Sequence, residues 1–308
     1  MPIIGIIINL NAKKNRKMPR DPVKIYAKIG GERVIVRATS SVAEIRAVAL
    51  EFRKRQISYL GICGGDGTMH HVLTHFFSVF GRKLPPVIVL KGGTMDTVSR
   101  TIGLKGKGPE ILRRMIVALD KGRTIELHPR DTIMVGDRCC FIFGLGIASN
   151  FLREYYEGGD AGPVKAVRVA AKGIAAGMFG NQAGTLFSRF CAGIEVDGER
   201  VPFRDFLGIL AATVDNVGIG FRPLFRAYEE PGTYHVIFAG FTPGTLVRNI
   251  FRFKSGKPLR HPRYLETVAK NMVVRAPGPI HFMMDGDLYE TADTLVVEAG
   301  PQVNLVRV

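Results

Sequence analysis

Gly64-Gly65-Asp66-Gly67-Thr68 sets three glycines, a carboxylate and a hydroxyl directly after the apolar run "YLGIC". A strand that ends in glycines and feeds a helix gathers unpaired backbone N–H groups and a positive helix end at one point, a place suited to phosphate. Glycine serves there because a Cβ would hold the phosphate away from the backbone. Asp66 repels a phosphate on its own. It makes sense if a Mg²⁺ lies between, if it takes a proton, or if it accepts a hydrogen bond from a ribose hydroxyl. The stretch "LKGGTMDTVSR" (90–100) repeats the pattern, with Gly92, Gly93, Thr94 and Asp96 ahead of a helix start. Two such loops at adjacent strand ends would line one crevice at the carboxyl edge of a sheet. The plain alternative for each is an ordinary tight turn, and their succession favours the cradle.

Other constellations carry less. There is no GxxxxGKS or GxxxxGKT phosphate loop, and "GLGIAS" (144–149) has Ser149 in the third glycine position of the dinucleotide fingerprint, so it reads as a turn before a helix. His71 and His75 share a helix face without an HExxH pattern, which suits packed or solvent-facing rings better than a metal pair. "LVRNIFRFKSGKPLRHPR" (246–263) interleaves Arg248, Arg252, Lys254, Lys257, Arg260 and Arg263 with Phe251 and Phe253 and holds no acid. It reads equally as an interfacial patch and as a basic solvated loop. "KKNRKMPR" (13–20) reads equally as a phosphate contact and as a charged loop.

The elements that must position the glycine loops alternate strand and helix over residues 1–128. "IIGIIINL" has the continuous apolar run of a doubly covered strand, and "RVIVRAT", "ISYLGIC" and "PPVIVL" follow with helical periodicities between them. Ser41 to Glu44 has capping-box spacing, and Pro109 suits the first turn of the helix "PEILRRMIVALDKG". Alternation of this kind argues a Rossmann-like parallel sheet. After "HPR" the texture turns to short strands with Gly, Pro and Asn turns, beginning with the hairpin signal of Gly136-Asp137. The reading is therefore α/β plus all-β: residues 1–128 as one domain and 129–308 as a second, β-rich domain, the last strand being able to return to the first.

The 308 residues are 46% hydrophobic, enough for two cores, and contain no apolar run of membrane-spanning length. In "MPIIGIIINLNAKKNRK" the charges follow the apolar stretch, the reverse of a secretory signal. Cys63, Cys139, Cys140 and Cys191 fit neither a disulfide framework nor a zinc spacing, so a reducing, cytoplasmic setting is expected. The net charge of +16 implies a polyanionic partner: nucleic acid, an acidic membrane surface or a phosphorylated substrate. No zinc finger, basic zipper or aromatic RNA-binding signature is present.

In order, these pieces resemble the diacylglycerol kinase catalytic-domain family of lipid kinases, relatives of the NAD kinases. "IIINLNAK" resembles the family's first strand and loop, with Leu10 for its proline and Lys13 for its glycine. "GGDGTMHHVL" matches the family's GGDGT motif, and "LKGGTMDTVSR" its second glycine turn, with Asp96 for the usual Asn and Thr97 for the usual Asp. "RTIEL" makes Glu126 the counterpart of a family acid, Pro231 stands where the family has an aspartate, and "MMDGDLYE" resembles the terminal DGE motif with Asp287 for Glu. The resemblance implies a two-domain kinase, with ATP on the Rossmann-like N-terminal domain and a C-terminal β-sandwich domain for the lipid. It implies ATP and Mg²⁺ dependence and action on a lipid hydroxyl, of diacylglycerol or of a sphingoid or ceramide-like lipid, at an anionic membrane surface, with no specific nucleic acid and a homodimer compatible. By that analogy Asn9, Lys13, Gly64, Gly65, Asp66, Gly67, Thr68, Gly92, Gly93, Thr94 and Asp96 hold the nucleotide. Asp66, Glu126 and Asp287 surround the metal, and Asp285 is the base, with Asp66 and Asp287 assisting. Asp197-Gly198-Glu199 spells the DGE motif more closely, but Asp-Gly between apolar strands is a hairpin signal and the family's motif lies near the C-terminus. The alternatives are an NAD-kinase-like enzyme with a soluble acceptor, and a non-catalytic basic protein that binds nucleic acid or membrane.

Overall fold

The computed structural model describes residues 1–16, 21–93, 97–157, 163–179, 186–218 and 220–308. In chain order the first elements are β1 (Ile4–Asn9), α1 (Lys13–Arg16), α2 (Pro22–Gly30), β2 (Val34–Thr39), α3 (Ala43–Lys54), β3 (Tyr59–Cys63), α4 (Asp66–Phe80), β4 (Val87–Val89), α5 (Thr97–Thr101), α6 (Gly108–Asp120) and β5 (Glu126–Arg130). There follow β6 (Ile133–Val135), β7 (Arg138–Cys140), β8 (Ile142–Gly146), α7 (Ile147–Tyr156), α8 (Pro163–Phe179), β9 (Phe190–Cys191), β10 (Gly193–Val196), β11 (Glu199–Arg200), β12 (Asp205–Phe206), β13 (Gly208–Ala212) and β14 (Tyr234–Ala239). The last are α9 (Pro243–Arg248), α10 (Ile250–Ser255), β15 (Tyr264–Ala269), β16 (Asn271–Arg275), β17 (Ile280–Met284), β18 (Asp287–Thr291), β19 (Thr294–Ala299) and β20 (Val303–Arg307).

The chain forms two compact units, one of residues 1–130, 137–139 and 301–308, the other of 131–136 and 140–300. The first unit extends two residues past the expected break at 128 and takes in the final strand. Its sheet runs β2-β1-β3-β4-β20-β5. Strands β1 to β4 are parallel, as βαβ crossovers require, while β20 pairs parallel with β4 and antiparallel with β5. Ile4, Ile6, Ile7 and Ile8 are fully buried, as helices on both faces demand of a strand this apolar. α3 packs on α4, where Phe52 and Phe76 meet edge to face with centroids 6.2 Å apart, and α2 packs on α6. The order reverses at β1, whose crossover leads outward to β2 before the chain returns to β3; a crevice opens at such a switch point.

One expected cap differs. α3 begins at Ala43, and the hydroxyls of Ser40 and Ser41 donate to the Glu44 carboxylate at 2.9 and 3.0 Å instead of capping helix N–H groups. Glu44 still reaches back, accepting from the Ser40 N–H at 3.0 Å, so half of the capping box forms, one residue early. Pro109 lies in the first turn of α6, where its missing N–H costs nothing.

The second unit is a β-sandwich. One sheet runs β11-β10-β16-β19-β6, the other β15-β14-β13-β8-β17-β18, and a small pair, β12-β9, stands apart. Their inner faces share one core, with Phe143, Ile209, Phe238 and Phe282 from one sheet against Ile194, Met272, Val274 and Val297 from the other. The Tyr234 hydroxyl crosses the core to donate to the Val297 carbonyl at 3.1 Å.

His235 on β14 is wholly buried, its Nδ1 accepting from the Arg226 N–H at 3.3 Å. Burial, then the nearby Arg226 charge, lowers its pKa from 6.5 to about 4. A histidine lowered on folding stabilises the folded state fully above pH 6.5, and that contribution is lost as pH falls to about 4. At about 1.4 kcal/mol per pKa unit the loss is about 3 kcal/mol. Urea melts of wild type and His235→Gln across this window should show the wild type losing the larger share of its unfolding free energy; parallel losses would refute the assignment.

Candidate active site

The two glycine loops touch each other through backbone. Gly92 N–H donates to the Gly64 carbonyl at 2.8 Å, and the Gly92 carbonyl accepts from Lys14 N–H at 3.1 Å, so the ends of β1, β3 and β4 are laced together. Side chains would not fit. A Cβ on Gly92 would lie 2.8 Å from Gly64 N, and one on Gly65 would lie 3.0 Å from the Gly93 Cα. Gly65 has φ −97°, so its glycine is required by close approach and not by backbone conformation.

Asp66 opens α4, and its carboxylate accepts the Thr97 N–H with both oxygens, at 3.0 and 3.1 Å. It thus satisfies an orphan donor at the start of α5 and clasps the second loop to the first. Asn9, at the end of β1, donates to the Thr68 hydroxyl at 2.8 Å and accepts from the Asn11 N–H at 2.8 Å. The side chains of Asn9, Asp66 and Thr68 and the backbones of Gly64, Gly65, Gly67, Gly92 and Gly93 are therefore brought to one place. The first N–H groups of α4, a 15-residue helix, point out of its N-terminus there. Lys13 opens α1, and only its backbone belongs to the described structure; Thr94 and Asp96 lie outside the described residues.

Sequence reasoning missed the support beneath these loops. Asn15, buried within the basic stretch after β1, donates to the carbonyls of Asn9 at 2.7 Å and Cys63 at 3.1 Å. The Cys63 thiol donates to Asn15 Oδ1 at 3.3 Å and to the Tyr26 hydroxyl at 3.4 Å. Burial, and then the Cys63 thiol, push the Tyr26 hydroxyl above its ordinary range. No pattern in a run such as "KKNRK" marks its one asparagine as interior.

Glu126 starts β5 at the carboxyl edge of the sheet, with β4 and β20 between β5 and β3. It lies 2.8 Å from His128 and 3.7 Å from Arg307, and its side chain is 58% exposed. β20 enters the sheet between β4 and β5, a place that the order of strands in the sequence does not show.

In the second unit, Asp285-Gly286 is the two-residue turn between β17 and β18, with φ +46° and +101°. The Asp285 carboxylate accepts from Phe141 N–H at 3.1 and 3.0 Å and from Ile142 N–H at 2.8 Å. Asp287 follows as the first residue of β18, half-buried, and the Tyr156 hydroxyl donates to the Gly286 carbonyl at 2.9 Å. Asp197-Gly198 does the same on the other sheet. Its φ values are +48° and +89°, and its carboxylate accepts from Lys270 N–H at 3.1 Å and Asn271 N–H at 2.8 Å. The hairpin signal that separated these motifs in sequence describes both of them in the fold.

A two-unit α/β-plus-sandwich fold of this kind is found in solved kinases. A diacylglycerol kinase structure from Bacillus anthracis superposes with a TM-score of 0.65 at 14% identity, covering 99% of this chain and 97% of that one. A second, putative one from the same organism gives 0.71 at 13%, and an ATP-bound NAD kinase from Archaeoglobus fulgidus gives 0.52 at 13%. Residues 4–127 match the diacylglycerol kinase catalytic domain, so the resemblance carried by GGDGT holds for the N-terminal unit. The probable lipid kinase YegS of Shigella flexneri is 25% identical over 136 residues, 44% of this chain and 43% of that protein, as is its Escherichia coli counterpart. The match spans less than half the length of these curated relatives.

Replacing Gly92 with alanine should cost about 1–3 kcal/mol, because the clash is with backbone that cannot turn aside. Gly278, whose Cβ would meet nothing within 4 Å, serves as the control and should change stability by less than about 0.5 kcal/mol on the same substitution. Equal effects in a thermal melt would show that the loops do not bear on each other.

Proposed function

We propose that this protein is a kinase that transfers the γ-phosphoryl group of ATP to the hydroxyl of a lipid. The observation that carries the reading is the backbone-lined meeting of two glycine loops at a sheet switch point, opened by a helix N-terminus. A cradle that any Cβ would fill is what phosphate oxygens need to reach main-chain N–H groups. The match to the diacylglycerol kinase catalytic domain and the similarity to a probable lipid kinase support the same class.

ATP would supply the phosphoryl group, and Mg²⁺ the positive charge that lets Asp66 stand beside phosphates. Gly65, Gly67, Thr68, Gly92 and Gly93 would hold the phosphates through backbone and hydroxyl, with Asn9 fixing the hydroxyl of Thr68. Lys13, Thr94 and Asp96 belong to the same proposal through the resemblance. Asp66, with Glu126 and Asp287 through the resemblance, would surround the metal. Asp285 is proposed to take the proton of the lipid hydroxyl, its carboxylate aimed by Phe141 and Ile142 N–H, with Asp287 beside it. Among the described residues no helix is long and apolar enough to cross a membrane, so the lipid would be met at a membrane surface.

Labelled phosphate from ATP, with Mg²⁺, should enter a lipid from a mixed extract presented as anionic vesicles. Asp66→Asn keeps an oxygen for Thr97 N–H and should hold the fold while lowering transfer at least about 100-fold. Asp285→Asn should do likewise, whereas Asp197→Asn, its structural twin, should soften the protein in a thermal melt and leave transfer within a few-fold. Equal thermal losses for the twin substitutions with unchanged transfer would make Asp285 a hairpin staple and remove it as base. Label in NAD and none in lipid would replace the acceptor.

A further inference from the structure

The stretch 240–263 contains no Asp or Glu and folds into α9 and α10 followed by a basic loop. Thr242 caps α9 by accepting the Thr245 N–H at 3.3 Å, and Gly256 closes α10 in the left-handed conformation. Phe253 anchors α10. It is buried, with ring centroids 6.2 Å from Phe241 and 6.1 Å from Tyr264. Two positions earlier on the same helix, about 200° around its axis, the chain must face outward. Phe251 sits there and is 77% exposed, a large apolar ring held out in water by a rigid aromatic base.

Basic groups flank it in sequence on both sides. Arg248, Arg252, Lys254, Lys257 and Arg260 are all exposed, and among the described residues none of the five forms an ion pair. The surrounding cations that do find acids are others: Arg263 with Asp205 at 3.0 Å and Arg226 with Glu229 at 2.6 Å. Arg252 is steadied by the Pro258 carbonyl at 3.2 Å and Arg248 by the Gly244 carbonyl at 3.3 Å, bonds that leave both charges uncompensated. An exposed apolar side chain in a stretch of exposed, unpaired cations suits a surface that is anionic outside and apolar just beneath. Single-stranded nucleic acid would instead ask for successive exposed rings on which bases stack. Phe241 and Phe253 are buried and Tyr264 is half-buried, so this segment offers one ring only.

We propose that α9, α10 and the loop to Arg260 are the surface by which this protein docks on an anionic lipid bilayer, with Phe251 entering the headgroup boundary and the five cations facing anionic headgroups. The biological sense of this docking rests on the lipid-kinase reading, since a lipid hydroxyl is met at a bilayer. The docking itself is measured without turnover.

The full chain would be floated with vesicles of equimolar phosphatidylserine and phosphatidylcholine, and with phosphatidylcholine alone. Wild type should bind the first and not the second. Each cation removed near an anionic leaflet weakens binding about fivefold, so Arg252→Gln/Lys254→Gln/Lys257→Gln should lose about 100-fold. Phe251→Ala should lose roughly tenfold, and Phe251→Trp should restore it. Arg200→Gln/Lys270→Gln/Arg275→Gln removes the same charge from exposed positions elsewhere in the unit and should bind as wild type does. Absence of vesicle binding, binding that survives the first triple substitution, or equal loss in the control triple would each overturn the proposal. So would capture of a single-stranded oligonucleotide, lost in the same variants, without vesicle binding. Vesicle binding as expected with no phosphoryl transfer would retire the kinase reading and leave the docking surface standing.

Discussion

The bond from Gly92 N–H to the Gly64 carbonyl is the constraint on which the candidate site depends. The loops approach this closely because a Cβ on Gly92 would strike Gly64 N and one on Gly65 would press on the Gly93 Cα. Once the loops touch, Asp66 is close enough to clasp Thr97, and Asn9 to reach Thr68. Each bond would be worth only about 1 kcal/mol alone. Together they hold the start of α4 in one position relative to three strand ends. A phosphate-binding arrangement must be rigid before the ligand arrives, because ordering it afterwards subtracts from affinity.

The role of Asp66 illustrates how a motif residue serves two ends. Read alone, a carboxylate among glycines suited to phosphate is a puzzle of like charges. In the fold it is first a cap, neutralising the positive end of a short helix. The second unit repeats the lesson with Asp197 and Asp285. Both sit in left-handed turn positions, and both turn their carboxylates onto backbone donors of a neighbouring strand. Aspartate followed by glycine is selected wherever a tight hairpin must also hold the strand beside it.

How much of this was legible in the sequence follows from the range over which each signal acts. β1 was legible because a strand covered on both faces must be apolar throughout, and the GGDGT loop because strand, glycines and helix start are contiguous. Pro109 was legible for the same local reason. Asn15 was not, because its burial is imposed by the ends of β1 and β3, and Cys63 lies 48 residues away. The place of β20 between β4 and β5 was hidden too. Local sequence speaks for strands, but the order in which strands pair is decided by partners far along the chain. Ser41 misled at the scale of a single residue: its hydroxyl found a carboxylate acceptor, and the helix started later than its spacing implied.

The insertion of β20 between β4 and β5 bears on the order in which the molecule can assemble. β5 touches the parallel sheet only through β20, and some 170 residues forming the whole sandwich lie between those two strands in sequence. While a ribosome is still making those residues, β4 stands as an open edge with unpaired N–H and C=O groups, and β5 has no sheet to join. The N-terminal unit, begun first, is therefore finished last. Closing it across so long a loop places a non-local, entropy-opposed step near the end of folding, and the interval before that step is when the chain is most exposed to pairing with another copy of itself.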